Sequence, residues 1–281
     1  MTIAICRNNF DLIHNQIAVS LTVFNPTGHI FMEQNSIAQY PRYLWFIQLS
    51  YTAVILLANW FDIRMIRLGS LETDAGTLIF PFTFILSDLI TEVYGYKFAR
   101  RAIWVGFMFN FIFVAYGQLI IHLPSPDYAL DTNTKFDSLL GFNARIIIAS
   151  TVSYLCAEPL NSFIMAKLKL KTAGRLMWLR FVMSTAVASL FDSFLFGTLA
   201  FYGTMPLHDL VVFNATMWAI KVFIEVCGLP VSLSLAGKLK KAEGLDMYDV
   251  GTKFSIFSLD AKYAFLNNRY SNARIKHQTS T

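Results

Sequence analysis

The chain has 281 residues, 55% of them hydrophobic and only 15% charged, with a formal net charge of +5. Soluble domains carry about 25% charged residues, so the composition argues against an ordinary soluble globular protein and points to long apolar segments in a membrane. The basic residues gather in loops and toward the C-terminus, and no aromatic-basic module of a nucleic-acid binder is present, so the charge reads as topology with nucleic acid excluded as a partner.

Residues 1–42 form a polar extension, expected on the cytoplasmic side. Within it Gln16–Met32 alternates around Asn25-Pro26-Thr27-Gly28, a pattern for a short hairpin. No basic start with an apolar core and a small-residue cleavage site precedes the first span, so no cleaved signal peptide is expected. Six apolar runs follow over residues 43–237: Tyr43–Phe61, Ala75–Ile90, Ala102–Leu123, Arg145–Ala166, Arg180–Gly203 and Val211–Gly237. About 20 apolar residues span a bilayer. The second run is short and holds Pro81, so it is either a tilted helix continued through Tyr94 or a broken helix. The fold class predicted is an all-α integral membrane protein with six transmembrane helices.

The loops after spans two and four carry Lys97, Arg100, Arg101, Lys167, Lys169, Lys171 and Arg175, and the tail from residue 238 adds Lys238, Lys240 and Lys241. The alternate loops are poorer in Lys and Arg, and Pro124–Phe142 holds Asp127, Asp131 and Asp137. The positive-inside rule then puts the basic loops and both termini in the cytoplasm, with Pro124–Phe142 as an outer loop. Residues 238–281 are a cytoplasmic tail, and Asn267–Thr281 has the composition of a disordered end.

Several charged residues fall inside the apolar runs: Asp88, Glu92, Glu158, Asp192, Lys221 and Glu225, together with Asn161. Each charge at a helix centre costs about 2.5–3.5 kcal/mol on the insertion scale, so these groups are expected to face one another or a wet cavity. At 1.5 Å per residue Asp88, Glu158, Asp192 and Lys221 are expected at one depth near mid-membrane, with Glu92 and Glu225 deeper. Asp88 and Glu92 are four residues apart and share a helix face, as do Lys221 and Glu225; Glu158 and Asn161 are three apart. Plainer readings stand beside this one. Lys221 could pair with Asp192 or Glu225 as a structural ion pair, Glu92 could end a helix near Lys97 and Arg100, and Arg145 could be a snorkelling anchor.

Signatures of chemistry are missing from the sequence. The five histidines are scattered, Cys6, Cys156 and Cys227 lack metal-ligand spacing, and neither a nucleophile elbow nor a phosphate-binding loop occurs. No metal or cofactor is expected. Asp88 and Asp192 could form a protease dyad, but transporters place acids at the same depth.

One family carries the same pieces. Phe80-Pro81, Ser87-Asp88-Leu89-Ile90-Thr91-Glu92-Val93-Tyr94-Gly95, Ala99-Arg100-Arg101-Ala102-Ile103-Trp104 and Gly106-Phe107 resemble the signature of the queuosine precursor transporter family, earlier described as vitamin uptake transporters. Arg145-Ile146, Ala149-Ser150, Trp178-Leu179-Arg180, Ser184-Thr185, Phe191–Phe196, Ile220-Lys221-Val222 and Pro230 extend the resemblance, which covers Tyr43 to Val231. It departs in the long N-terminal extension, in the tail, and in span four, where Ser153-Tyr154-Leu155 and Ala157-Glu158-Pro159 stand in place of Ala-Tyr-Leu and Gln.

The resemblance implies a six-helix importer of the bacterial inner membrane, similar in topology to the substrate-binding subunits of energy-coupling-factor transporters. The implied substrates are deazaguanine bases (cyano-deazaguanine, aminomethyl-deazaguanine or queuine) salvaged for tRNA modification. The bilayer is the other partner, and a homo-oligomer is left open. A guanine-like base presents adjacent N–H donors that a carboxylate accepts bidentately. Asp88, Glu158 and Asp192 are candidates for that role, Lys221 for the base carbonyl, and Phe84, Tyr154 or Phe191 for stacking, with Glu92, Asn161 and Glu225 completing the expected site. The alternatives are a capture subunit driven by a separate ATPase and, further off, an intramembrane enzyme.

Overall fold

The computed structural model describes residues 41–258 and 260–263, with side chains other than those of 142–144. The hairpin expected over residues 16–32, most of the N-terminal extension and the end of the tail lie outside the described residues.

Six helices long and apolar enough to cross a membrane run up and down through the chain. They are α1 (Leu44–Phe61), α2 (Pro81–Tyr94, entered by a 3-10 turn over Gly76–Leu78), α3 (Tyr96–Ile120), α4 (Leu130–Lys171), α5 (Met177–Phe201) and α6 (Leu207–Glu243). A two-stranded antiparallel hairpin, β1 (Met65–Leu68) with β2 (Leu71–Asp74), joins α1 to α2. The alternation of direction gives the bundle a hairpin end and, at the other side, a basic end holding the α2–α3 and α4–α5 connections.

Span two is a helix continued through Tyr94, irregular only at its entry. Pro81 occupies the first helical turn of α2, where its missing N–H costs nothing, and the residues before it reach back as a 3-10 turn. This short segment, 72% buried, sits among α1, α3, α4 and α6, which shield it from lipid. It ends at Gly95, whose φ of +89° suits only glycine and whose N–H donates to the carbonyls of Ile90 and Thr91 at 3.1 Å. A Cβ there would stand 2.5 Å from the Tyr263 hydroxyl, so the chain turns from α2 into α3 without an intervening loop.

Three helices outrun their expected spans, α3 by beginning at Tyr96 and so taking in Lys97, Arg100 and Arg101. α4 has 42 residues, about 63 Å by helical rise against a hydrocarbon core of about 30 Å. Its first turns take up much of the stretch expected as an outer loop, with Lys135 and Asp131 paired at 2.6 Å on the exposed surface; polar residues at helical spacing look like loop when only hydropathy is scored. α6 continues past Gly237 to Glu243, whose carboxylate accepts the backbone N–H groups of Arg42 and Tyr43 at the start of α1 and the Tyr94 hydroxyl. Arg145 binds the carbonyls of Leu199 (2.9 Å) and Tyr202 (2.7 Å), satisfying groups that the end of α5 leaves open.

Beyond α6 the chain folds back across the basic end. Met247 N–H donates to Val93 O, the Tyr96 N–H donates to Asp249, and Arg100 donates to the carbonyls of Ser255 and Asp260 at 2.7 Å. Tyr263 accepts the Lys97 N–H and donates to Asp249 at 2.6 Å; burial, with Asp249 beside it, pushes its phenol well above the usual range, so it stays a donor.

The basic end is closed by ions as well. Glu92 on α2, fully buried, receives Nε and Nη2 of Arg180 from α5 at 2.8 and 2.6 Å, Lys240 from α6, and Lys169 from α4 at 3.7 Å. Asp246 answers Lys169 and Lys240, each at 2.8 Å. Lys169 and Arg100, read from the sequence as loop charges, Lys240, read as part of the tail, and Arg180, at the start of the fifth span, are therefore buried and partnered. Removing one partner of a buried pair costs roughly 3–5 kcal/mol, and Glu92→Gln would leave Arg180 without its carboxylate and Lys169 and Lys240 sharing Asp246. We expect this variant to lose most of its folded, monodisperse yield in detergent, with a smaller loss for Asp246→Asn; size-exclusion chromatography of a fluorescent fusion measures both.

Candidate functional site

The remaining buried polar groups lie between that ion cluster and the hairpin end. Next to the cluster, Asp88 on α2 is fully buried and accepts one bond, from Asn161 Nδ2 on α4 at 2.7 Å. Its Oδ2 and the Asn161 Oδ1 have no partner. Glu225 on α6 is buried with both carboxylate oxygens unpartnered. Glu158 on α4 makes no hydrogen bond of good geometry, although the hydroxyls of Thr83, Ser87 and Tyr51 are within reach.

At the hairpin end, Asp192 of α5 and Lys221 of α6 pair at 2.5 Å, with the Asp192 Oδ1 left free. The ammonium lies 4.8 Å above the ring of Phe80. This pair borders a small cavity that Asp62, Asp74, Thr77 and Phe80 line from the α1–α2 side and Ser150 and Ser153 from α4. Its volume is about 10 Å³, room for roughly one water, whereas ligand clefts measure about 300–1,000 Å³. The structure is thus contracted around its polar centre.

The expected single depth divides into two levels. Phe80 borders the cavity, and Asp88 lies eight residues further along, about 12 Å by helical rise. Ser153 to Asn161 on α4 gives the same separation, again about 12 Å. Asp192 and Lys221 therefore belong to the cavity level, Asp88 and Asn161 to the deeper one, and Glu158 lies between them. Lys221 takes Asp192 and not Glu225 as its partner, while Glu92 stands apart in the structural ion cluster, joined to Arg180 and not to Lys97 or Arg100.

The three aromatic candidates also separate. Phe84 is fully buried, packed with Phe80, Ala157 and Ala188 between the two levels. Tyr154 is buried, but its hydroxyl is occupied by the Ile103 carbonyl (2.8 Å) and by Tyr51 (3.0 Å). Phe191 is 57% exposed on the outer surface, away from the polar centre; one residue from Asp192 on a helix is about 100° around the axis, so inward placement of one turns the other outward.

Residues 74–235 match a family described as "Putative vitamin uptake transporter". The match covers more than half of the chain. The chain belongs to this family. Among curated relatives it is 28% identical to the "Probable queuosine precursor transporter" of Bacillus subtilis (strain 168) over 62% of this chain and 76% of that one. It is 28% identical to the protein of the same name in Haemophilus influenzae, over 71% and 83%. It is 26% identical to the "Queuosine precursor transporter" of Escherichia coli (strain K12), over 69% and 83%. No solved structure gives a significant match.

Membership in the vitamin uptake transporter family agrees with a multi-pass membrane protein whose polar residues converge inside the bundle. Sequence reasoning missed Asp62 and Asp74, which read as ends of a loop. Their signal was position: two acids bracketing a short connection, the second just before Ala75-Gly76, where a glycine lets the backbone approach. At Gly76 a Cβ would come within 1.7 Å of the Asp62 Oδ1. Among the described residues no group of three or more His, Cys, Asp or Glu forms a metal site.

The division between partnered and orphan carboxylates has a stability consequence. An amide replacing an unpartnered buried acid removes no ion pair, whereas Asp192→Asn breaks the buried pair with Lys221 at a cost of roughly 3–5 kcal/mol. Thermal unfolding of the purified protein should show Glu225→Gln at or above the parent midpoint and Asp192→Asn well below it.

Proposed function

We propose that this chain imports queuosine precursors, deazaguanine bases, across a bacterial inner membrane. One observation carries the reading: six carboxylate oxygens of Asp88, Glu158, Asp192 and Glu225 are buried inside the bundle without a hydrogen-bond partner. An unmade bond of this kind costs roughly 1–3 kcal/mol, more for a charge, and a base with adjacent N–H donors would satisfy such oxygens in pairs. The names of the three curated relatives support the substrate class.

In this reading the acids present the walls of the path, Asp88 and Glu158 meet the donor edge of the base, and Lys221 exchanges Asp192 for the base carbonyl. Phe84 is the buried ring best placed to stack. The contracted cavity is a closed state that opens for the base. The basic end faces the cytoplasm: Arg101, Lys167, Lys171, Arg175, Lys238 and Lys241 are all exposed there, as the positive-inside rule requires. Transport without chemical change of the substrate is the activity proposed.

Salvage provides the test. The chain is expressed in bacteria unable to make or import the precursor, bases are supplied, and queuosine in tRNA is measured. Restoration is expected with the parent chain, and Asp88→Asn should lower it at least about tenfold, the effect of losing one charge-assisted bond, at equal membrane expression. Failure of the parent chain to restore queuosine with every base supplied rejects the proposal.

A further inference from the structure

The cavity at the hairpin end is lined by more carboxyl groups than cations. Asp62, Asp74 and Asp192 line it against one ammonium, Lys221, and all four residues are more than nine-tenths buried. Lys221 is committed to the Oδ2 of Asp192, so the Oδ1 stands unpartnered on the cavity wall.

Of the two other acids, Asp62 is placed where a carboxylate is poorly tolerated and Asp74 is held beside it. Asp62 follows the last residue of α1, with its N–H bonded back to the Ala58 carbonyl; this is the negative end of the helix dipole. Its side chain presses on the backbone of Gly76 and lies within hydrogen-bond reach of Asp74. Asp74 accepts the Thr77 N–H at 2.6 Å and the Thr77 hydroxyl at 2.7 Å, which fixes it in place. Adjacent carboxylates repel unless positive charge lies between them.

Among the described residues no cation besides Lys221 is buried against these acids. Arg67 on the hairpin is exposed and paired with Glu72, Arg64 is exposed, Lys135 binds Asp131, and Arg145 is occupied by the carbonyls of Leu199 and Tyr202. An ammonium on the substrate would meet Asp62 and the open Oδ1 of Asp192 together. Glu158, five residues beyond the cavity-lining Ser153 on α4, is then the nearest orphan acid for the N–H edge of an attached ring.

We infer that this cavity receives a cationic amino group, with Asp62 and Asp74 as specificity residues, so that the chain prefers an aminomethyl-substituted base to its neutral cyano counterpart. The inference rests on the transport reading above and adds the charge of the substrate to it. A proton shared by Asp62 and Asp74 would neutralise the pair equally well and would give no such preference.

The test uses the purified full chain in liposomes, with each labelled base competed by the other. The aminomethyl base should compete at least about tenfold better than the cyano base, and Asp62→Asn should shrink that ratio about tenfold, the factor equivalent to ~1.4 kcal/mol. Because the ratio is taken within one preparation, loss of folded protein cancels. Equal competition by the two bases overturns the inference, as does a ratio unchanged in Asp62→Asn. Liposomes holding folded protein that take up neither base reject the transport reading itself, an outcome distinct from uptake without preference.

Discussion

Glu92 is the group on which the rest of the bundle depends. Helices in lipid gain no hydrophobic free energy from leaving it, so they are held by close packing and by polar contacts. Here one carboxylate on the most buried helix collects a guanidinium from α5 and ammonium groups from α6 and α4, and Asp246 from the returning chain completes the cluster. A carboxylate held ionised in the low-dielectric interior needs partners of this quality. The arrangement fixes the depth of α2, and with it the positions of Asp88 and Phe84 one and two turns away.

The polar groups above that cluster follow the opposite rule. In the ion cluster at the basic end each buried charge is answered, and the answering groups come from four helices and the C-terminal segment. Along the centre Asp88 and Asp192 each keep one oxygen in reserve, and Glu158 and Glu225 keep both. A membrane protein does not hold six unmade carboxylate bonds for stability. The same residue types thus divide into those that build the scaffold and those left available, and the division is set by partner count, since burial is nearly complete in both groups.

Much of this architecture was legible in the sequence because lipid makes hydropathy nearly decisive. All six spans, and the choice of Asp88, Glu158, Asp192 and Lys221 as inward groups, followed from apolar length and the cost of a stranded charge. What escaped was whatever depended on partners from distant helices. Arg180, Lys169 and Lys240 sit at span edges, where a snorkelling charge and a buried one have the same local sequence. The two depths were merged because counting residues from a span end assumes ends that are level, and α4 and α6 overshoot theirs. Asp62 and Asp74 were lost in a stretch too short to reveal its hairpin, with only four residues in each strand. Phe191 was misplaced by its neighbour: adjacency in sequence to an inward acid is a poor guide to direction on a helix.

The turn at Gly95 gives the molecule a mechanical asymmetry. With no loop between α2 and α3, a glycine conformation that no other residue adopts cheaply, and the Tyr263 hydroxyl seated against it, that end of α2 is clamped like the root of a cantilever. The other end begins at Pro81 after a single 3-10 turn that packs on α1 and α6. A tilt of α2 about its clamped end would be smallest at Glu92 and largest near Phe80, so it would widen the cavity before it strained the ion cluster at the root.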